Sequence, residues 1–231
     1  MNAEDLVSEL DALSNPNDAE FLQRFFKTHD GGYAAGDKFI GLRVPATRKI
    51  ASKYKDLALE EIEKLLESPV HEHRLAALVI MVEQTKKQDK KAELFDLYLK
   101  RTDRINNWDL VDLSCRDVVG GYLQNKSRKP LYELAKSKNI WERRIAIVST
   151  WQFIRNSDLQ DTFEIAEILL DDEEDLIHKA VGWMLREAGK KDEQALKSFL
   201  DKHADKMPRT MLRYSLERLS QNDRQYYMKL Q

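Results

Sequence analysis

Ile140-Trp141-Glu142-Arg143-Arg144-Ile145-Ala146-Ile147-Val148-Ser149-Thr150-Trp151-Gln152-Phe153-Ile154 is apolar nearly all round once its charged first turn is passed. A helix without a polar face is packed on both flanks, so this segment reads as an inner helix. Asn139 and Glu142 have capping-box spacing, which fixes its start. Downstream, Asp161-Thr162-Phe163-Glu164-Ile165-Ala166-Glu167-Ile168-Leu169 carries one polar face and belongs on the outside. An inner helix beside an outer one is the unit of a helical array.

The unit recurs. Arg74-Leu75-Ala76-Ala77, Asp109-Leu110-Val111-Asp112, Arg144-Ile145-Ala146-Ile147 and Lys179-Ala180-Val181-Gly182 follow one another about every 35 residues, with a weaker copy near Arg213-Tyr214-Ser215-Leu216. Periods in this range predict a solenoid of helix pairs. Local punctuation gives the helix starts. Two helices lie at about 3–13 and 17–29, separated by Ser14-Asn15-Pro16-Asn17, and Gly31 to Asp37 forms a loop. Further helices begin near Pro45, Leu59, Pro69, Lys90, Asn107, Lys129, Ile140, Leu159, Glu174, Gln194 and Pro208, with a short one near Asn222. The expected organisation is one domain over 1–231, with N-terminal helices and loop at 1–35, repeats at 36–220 and a tail helix at 221–231.

Composition narrows the function classes. The chain has 231 residues, 34% of them charged, and a net charge of −2, which argues mildly against a duplex-binding protein. Distribution matters more than the sum: the first thirty residues are acidic and the last thirty lean basic. A single cysteine, Cys115, excludes an internal disulfide and a cysteine metal cage, and reads as a buried thiol. No signal-peptide pattern opens the chain and no apolar stretch reaches the length of a membrane span, so the expectation is a cytoplasmic, monomeric protein without membrane contact.

The inner helices carry Arg or Lys near their N-termini, where a cation opposes the helix dipole. Solvated repeat edges would explain this. So would a row of external anions, such as phosphates along a duplex. One position stands apart. In register with Ala77, Ile147 and Gly182 the chain places Asp112, an acid where its other repeats hold small or apolar groups. An unpartnered buried carboxylate is costly, so Asp112 is either paired or put to use. Trp108 precedes it by one turn on the same face. If the inner helices stack side by side, Arg144 and Trp183 join them, and two indoles, a carboxylate and a guanidinium make a receiver for a cation with a phosphate anchor. The residues alone leave the bland reading open, with both tryptophans in the core and Asp112 paired to Arg116. Trp141 and Trp151 read as packing residues.

Three segments carry a resemblance: Asn107-Trp108-Asp109-Leu110-Val111-Asp112, Ile140-Trp141-Glu142-Arg143-Arg144-Ile145-Ala146-Ile147, and His178-Lys179-Ala180-Val181-Gly182-Trp183-Met184-Leu185-Arg186-Glu187. Together they resemble the HEAT-like-repeat DNA alkylation repair family, the alkylpurine DNA glycosylases. Gly36-Asp37-Lys38-Phe39-Ile40-Gly41-Leu42-Arg43-Val44-Pro45 resembles that family's N-terminal signature. The resemblance implies an all-α fold, a right-handed solenoid of HEAT-like antiparallel helix pairs with a concave DNA-binding face. It also implies a monofunctional glycosylase acting on N3- or N7-alkylated purines in double-stranded DNA, with no metal or organic cofactor. Asp112 matches the catalytic carboxylate, Trp108 and Trp183 the lesion-site tryptophans, and Arg144 the cleft arginine. Arg143, Lys179, Arg186, Arg209, Arg213 and Arg43 are the accompanying candidates for phosphate contact. Asn107 stands where one branch of the family carries a further Trp, and the N-terminal loop differs from that branch; both bear on substrate range.

The chemistry fits these residues independently. A purine alkylated at N3 or N7 is cationic and leaves as a neutral base, so no general acid is needed. Positive charge develops on the deoxyribose, where a fixed carboxylate stabilises it. A different class remains as the alternative: a non-catalytic repeat protein that binds distorted or branched DNA. A helical scaffold for a protein partner is a third. No pocket motif is evident. Gly31-Gly32-Tyr33-Ala34-Ala35-Gly36 has no βαβ context for a dinucleotide. His71-Glu72-His73 has the wrong spacing for a helical metal pair and reads as a solvated helix start. The run from Lys86 to Lys91 reads as a solvated turn.

Overall fold

A computed structural model describes residues 1–230. The described residues form helices and no strand; one isolated parallel bridge joins Lys38 to Val70. In chain order the helices are α1 (Ala3–Asp11), α2 (Pro16–Phe25), α3 (Val44–Ala51), α4 (Leu59–Glu67), α5 (His71–Gln84), α6 (Lys91–Lys100), α7 (Trp108–Cys115), α8 (Gly121–Leu123), α9 (Lys129–Leu134), α10 (Ile140–Ser149), α11 (Trp151–Arg155), α12 (Gln160–Ile168), α13 (Asp175–Gly189), α14 (Glu193–His203), α15 (Arg209–Leu216) and α16 (Gln221–Met228). Every start predicted from punctuation falls within two residues of one of these helices.

The starts have local causes. The Asn15 side chain accepts from the backbone of Asn17 and Asp18, and Pro16 opens α2 where a missing N–H costs nothing. Asn107 caps α7 by accepting from Trp108 N, Asn139 caps α10 by accepting from Trp141 N, and Asp192 caps α14 by accepting from Ala195 N. Two interruptions were not foreseen. The helix expected over 140–154 breaks at Thr150, whose hydroxyl returns to the Ile147 carbonyl at 2.7 Å, and resumes as α11. After α7 the chain continues through a π-helical turn over Arg116–Gly120.

The chain divides into two compact units, Met1–Tyr122 and Leu123–Gln231. In the first, α5 is buried along nearly its whole length, with Leu75, Ala76, Ala77, Leu78, Ile80 and Met81 all sealed, and it packs on α3, α4 and α7. In the second, α13 takes the same central place between α10 and α15. The approach of α13 to α15 is set by Gly182: a Cβ there would lie 2.5 Å from both the Met211 carbonyl oxygen and the Tyr214 Cβ. Gly182→Ala is therefore expected to destabilise the protein by about 1–3 kcal/mol in chemical denaturation, although Ala in a free helix interior would gain about 1 kcal/mol over Gly. A stabilised variant would mean that the two helices are not held this closely.

Candidate functional site

Asp112 differs in exposure from the residues that share its place in the sequence pattern. Its counterparts Ala77, Ile147 and Gly182 are buried, the first two with no exposed surface. Asp112 is only partly buried. The acid placed out of pattern is thus also the register position that keeps contact with water, which relieves the cost of an ion sealed in apolar surroundings. It lies on the last full turn of α7, just before the π-helical segment, and such turns are frequent at functional sites. Tyr98 lies within its field. Burial pushes the Tyr98 hydroxyl well above its ordinary range, and the charge of Asp112 adds to this. That hydroxyl is 2.9 Å from Ser114 Oγ.

Trp108, one turn earlier, is held by the N-terminal elements of the same unit. Its indole N–H donates to the Tyr33 hydroxyl at 3.2 Å, and its ring centroid lies 5.4 Å from Phe26 and 6.2 Å from Phe25. It is partly buried, neither sealed in the core nor loose. The loop after α2 thus fixes the indole, through residues far from it in sequence.

Beneath Trp108 lies an ionic network that sequence reading missed. His71, Glu72 and His73, where the sequence predicts a solvated helix start, are all buried, because each finds a partner from another segment. The Glu72 carboxylate accepts from the backbone N–H groups of Ile40, Gly41 and Leu42, at 2.9 Å from Gly41. His73 Nε2 lies 3.0 Å from Asp11, tying α1 to α5. His71 Nε2 lies 2.8 Å from Asp109 Oδ2, and its other ring nitrogen is 3.5 Å from Asp37. Arg74, 1% exposed, places Nη2 at 2.8 Å from Asp37 and 3.1 Å from Asn106 Oδ1. Asn106 in turn donates to Asp37 at 3.0 Å. The network joins the 37–42 loop, the start of α5 and the start of α7. It therefore anchors the start of α7, which carries Trp108, to α5 and the 37–42 loop.

In the second unit, Trp183 packs edge-on against Trp151, with centroids 5.1 Å apart, and both are partly buried. Arg144 is buried, 6% exposed, and donates to the Leu176 carbonyl at 2.6 Å; its charge acts on Lys179, which pairs with Asp175 at 2.7 Å. Arg143 clasps Asp172 at 2.6 Å and donates to the carbonyls of Ser137 and Lys138. Arg186 pairs with Glu217 and Glu187. Arg209 and Arg213 are exposed on α15. In the first unit, Arg43 is exposed and pairs with Asp18 at 2.6 Å.

A regularity emerges from these bonds. Arg74 donates to the carbonyl of Ser68, Arg143 to that of Ser137, and His178 contacts that of Asp172. In each case a side chain in the first turns of α5, α10 or α13 returns to the carbonyl six residues earlier, in the connection leading into that helix. Part of the cationic row at the inner-helix N-termini therefore has an internal partner: loop carbonyls and neighbouring acids. The sequence pattern did not require an external anion for Arg74 or Arg143.

The sequence profile described as DNA alkylation repair enzyme matches residues 6–219. The chain belongs to this family. Membership supports a role in the repair of alkylated DNA. Two solved structures share the fold. A chain described as a predicted DNA alkylation repair enzyme from Enterococcus faecalis superposes with a TM-score of 0.70 at 17% identity, covering 90% of this chain and 97% of that one. The crystal structure of smu.31 from Streptococcus mutans UA159 does so with a TM-score of 0.51 at 18% identity, covering 92% and 96%. At these identities the likeness is one of fold. No curated protein matches the chain. Among the described residues no helix is long and apolar enough to cross a membrane, and no cluster of three or more His, Cys, Asp or Glu is placed to hold a metal ion.

In this family member the buried network carries a pH signature. Burial opposes charging His71, but Asp109 and then Asp37 outweigh it and hold the imidazole pKa above its ordinary 6.5. Burial likewise opposes charging Asp37, and the bonds from His71, Arg74 and Asn106 reverse that and hold it below its ordinary 3.8. A raised histidine pKa contributes stability that is complete below 6.5 and lost as pH rises through the folded-state value. The stability advantage of wild type over His71→Gln, from urea titrations, is therefore expected to shrink as pH rises above 6.5. An advantage that grows with pH would mean that His71 is held neutral.

Proposed function

We propose that this chain is a monofunctional DNA glycosylase that hydrolyses the N-glycosidic bond of cationic N3- or N7-alkylated purines in double-stranded DNA, as a step of base excision repair. The observation that supports this most is the partial exposure of Asp112, against the burial of its register partners, one turn from an indole fixed among aromatic rings. Family membership supports alkylated DNA as the substrate, and the charge and exposure of Asp112 support the chemistry.

When the alkylated purine departs, it takes the bonding electron pair and becomes neutral. The positive charge passes to the deoxyribose. Asp112 stabilises that charge by preorganised electrostatics and accepts a proton from the water that adds to the sugar carbon. The products are the free base and an abasic site. Trp108 and Trp183 pack against the sugar and the cationic nucleotide. Arg209 and Arg213 contact the backbone, Arg144 turns from the Leu176 carbonyl to a neighbouring phosphate, and Lys179 and Arg43 exchange Asp175 and Asp18 for the backbone. Arg143 and Arg186 reach a phosphate by exchanging an intramolecular carboxylate for it. The enzyme acts as a monomer in the cytoplasm on this reading.

The test is release of free 7-methylguanine or 3-methyladenine from methylated duplex DNA by the purified protein. Duplex binding with a steep salt dependence and no base release would favour the non-catalytic reading instead.

A further inference from the structure

Gly31-Gly32-Tyr33-Ala34-Ala35-Gly36 is more than a connection between α2 and the 37–42 segment. The chain leaves α2 through Lys27, whose φ of 55° lies in the left-handed region that residues other than glycine rarely adopt. Gly32 then passes so near that a Cβ on it would lie 1.8 Å from the Lys27 carbonyl oxygen. The loop closes on itself where Gly36 N donates to the Thr28 carbonyl at 3.3 Å. Ala34, 1% exposed, is sealed in one apolar cluster with Phe26 and Phe39, and Asp37 beyond it belongs to the buried ionic network. Uncommon backbone held this firmly by its surroundings recurs at functional sites.

Tyr33 stands between these anchors. Its hydroxyl accepts the indole N–H of Trp108 at 3.2 Å and donates to the Phe25 carbonyl at 3.5 Å, and the Lys27 ammonium lies 5.9 Å from its ring centroid. Ring packing alone would hold the indole less well. Phe25 and Phe26, which pack on Trp108, share with Phe21 and Phe39 an aromatic cavity of about 330 Å³ that leaves the rings room to shift. Orientation matters for the proposed chemistry. An aromatic ring is negative at its face and positive at its edge, so an indole that turned would exchange attraction for a cation against repulsion.

We propose that Tyr33 is a positioning residue of the glycosylase site: its hydroxyl, delivered by the glycine-rich loop, holds the Trp108 indole in one orientation toward the cationic nucleotide. The proposal rests on the glycosylase reading and adds to it a residue 75 positions away from the indole in sequence that acts only through it.

The test uses two variants of the full-length protein. Tyr33→Phe removes the hydroxyl and keeps the ring. Gly32→Ala keeps the hydroxyl and forces the loop open at Lys27; thermal melting checks that both fold. The indole N–H proton resonance of Trp108, assigned by its absence from Trp108→Phe, is expected to move in both. In single turnover on methylated duplex DNA both should release 7-methylguanine roughly five-fold more slowly, the effect of one lost hydrogen bond, with duplex affinity unchanged. A Trp108 resonance that stays in place in Tyr33→Phe, or a wild-type release rate at saturation in that variant, would overturn the proposal. So would a Gly32→Ala variant that folds and keeps both the resonance and the rate of wild type. Absence of release by the wild type itself removes the glycosylase reading alone. The change that methylated duplex causes in the Trp108 resonance then decides: smaller in Tyr33→Phe if the hydroxyl positions the indole, identical in the two proteins if it does not.

Discussion

Replacing Asp112 by Asn is expected to slow release of alkylated purines by on the order of 100-fold or more while leaving duplex affinity within a few-fold of wild type. Asn keeps the shape of the side chain and removes its charge, so the contrast isolates electrostatics. The carboxylate has nothing to offer a neutral duplex sugar, and its full effect arises only as the glycosidic bond lengthens and the sugar becomes cationic. The loss should therefore fall on the single-turnover rate and not on binding. A variant that binds weakly and excises at the wild-type rate when saturated would assign Asp112 to DNA affinity instead.

Arg74→Ala is expected to destabilise the fold by about 3–5 kcal/mol, the largest stability effect of any single change considered. Arg74 is sealed from solvent and bonds Asp37, Asn106 and the Ser68 carbonyl. Removing it strands the Asp37 carboxylate, itself 8% exposed, beside a second acid, Asp109, that shares His71 with it. The penalty is mostly that of an uncompensated buried charge, so the double variant Arg74→Ala/Asp37→Ala should recover part of it. Denaturant titration of the cycle measures this directly. Additive losses in the double variant would show that the two residues act separately.

The helix starts were legible because each depends on a few adjacent residues: Pro16, Asn107, Asn139 and Asp192 act on the backbone next to them. The burial of α10 was legible for a similar reason, since a helix apolar nearly all round packs on both flanks. What escaped was set by partners distant in sequence. His71 and Arg74 look like surface charges until Asp37 and Asp109 are brought to them from other segments. Arg143 shows no internal partner in the sequence; Asp172 and the Ser137 carbonyl are brought to it by the fold. The aromatic cavity is spread over α2, Phe39 and the starts of two later helices, and no local pattern announces it. The π-helical turn after Cys115 has no sequence mark either; Gly120-Gly121 closes it without requiring it. Asp112 was visible because it breaks a repeat, and a break in register can be read without coordinates.

The most direct measurement is quantification of free bases released from methylated duplex DNA by wild type and Asp112→Asn side by side. Free 7-methylguanine or 3-methyladenine with the wild type, and no more than the spontaneous background with the variant, is the expected result. Equal release by both proteins, or none by the wild type on DNA that it binds, would contradict the account.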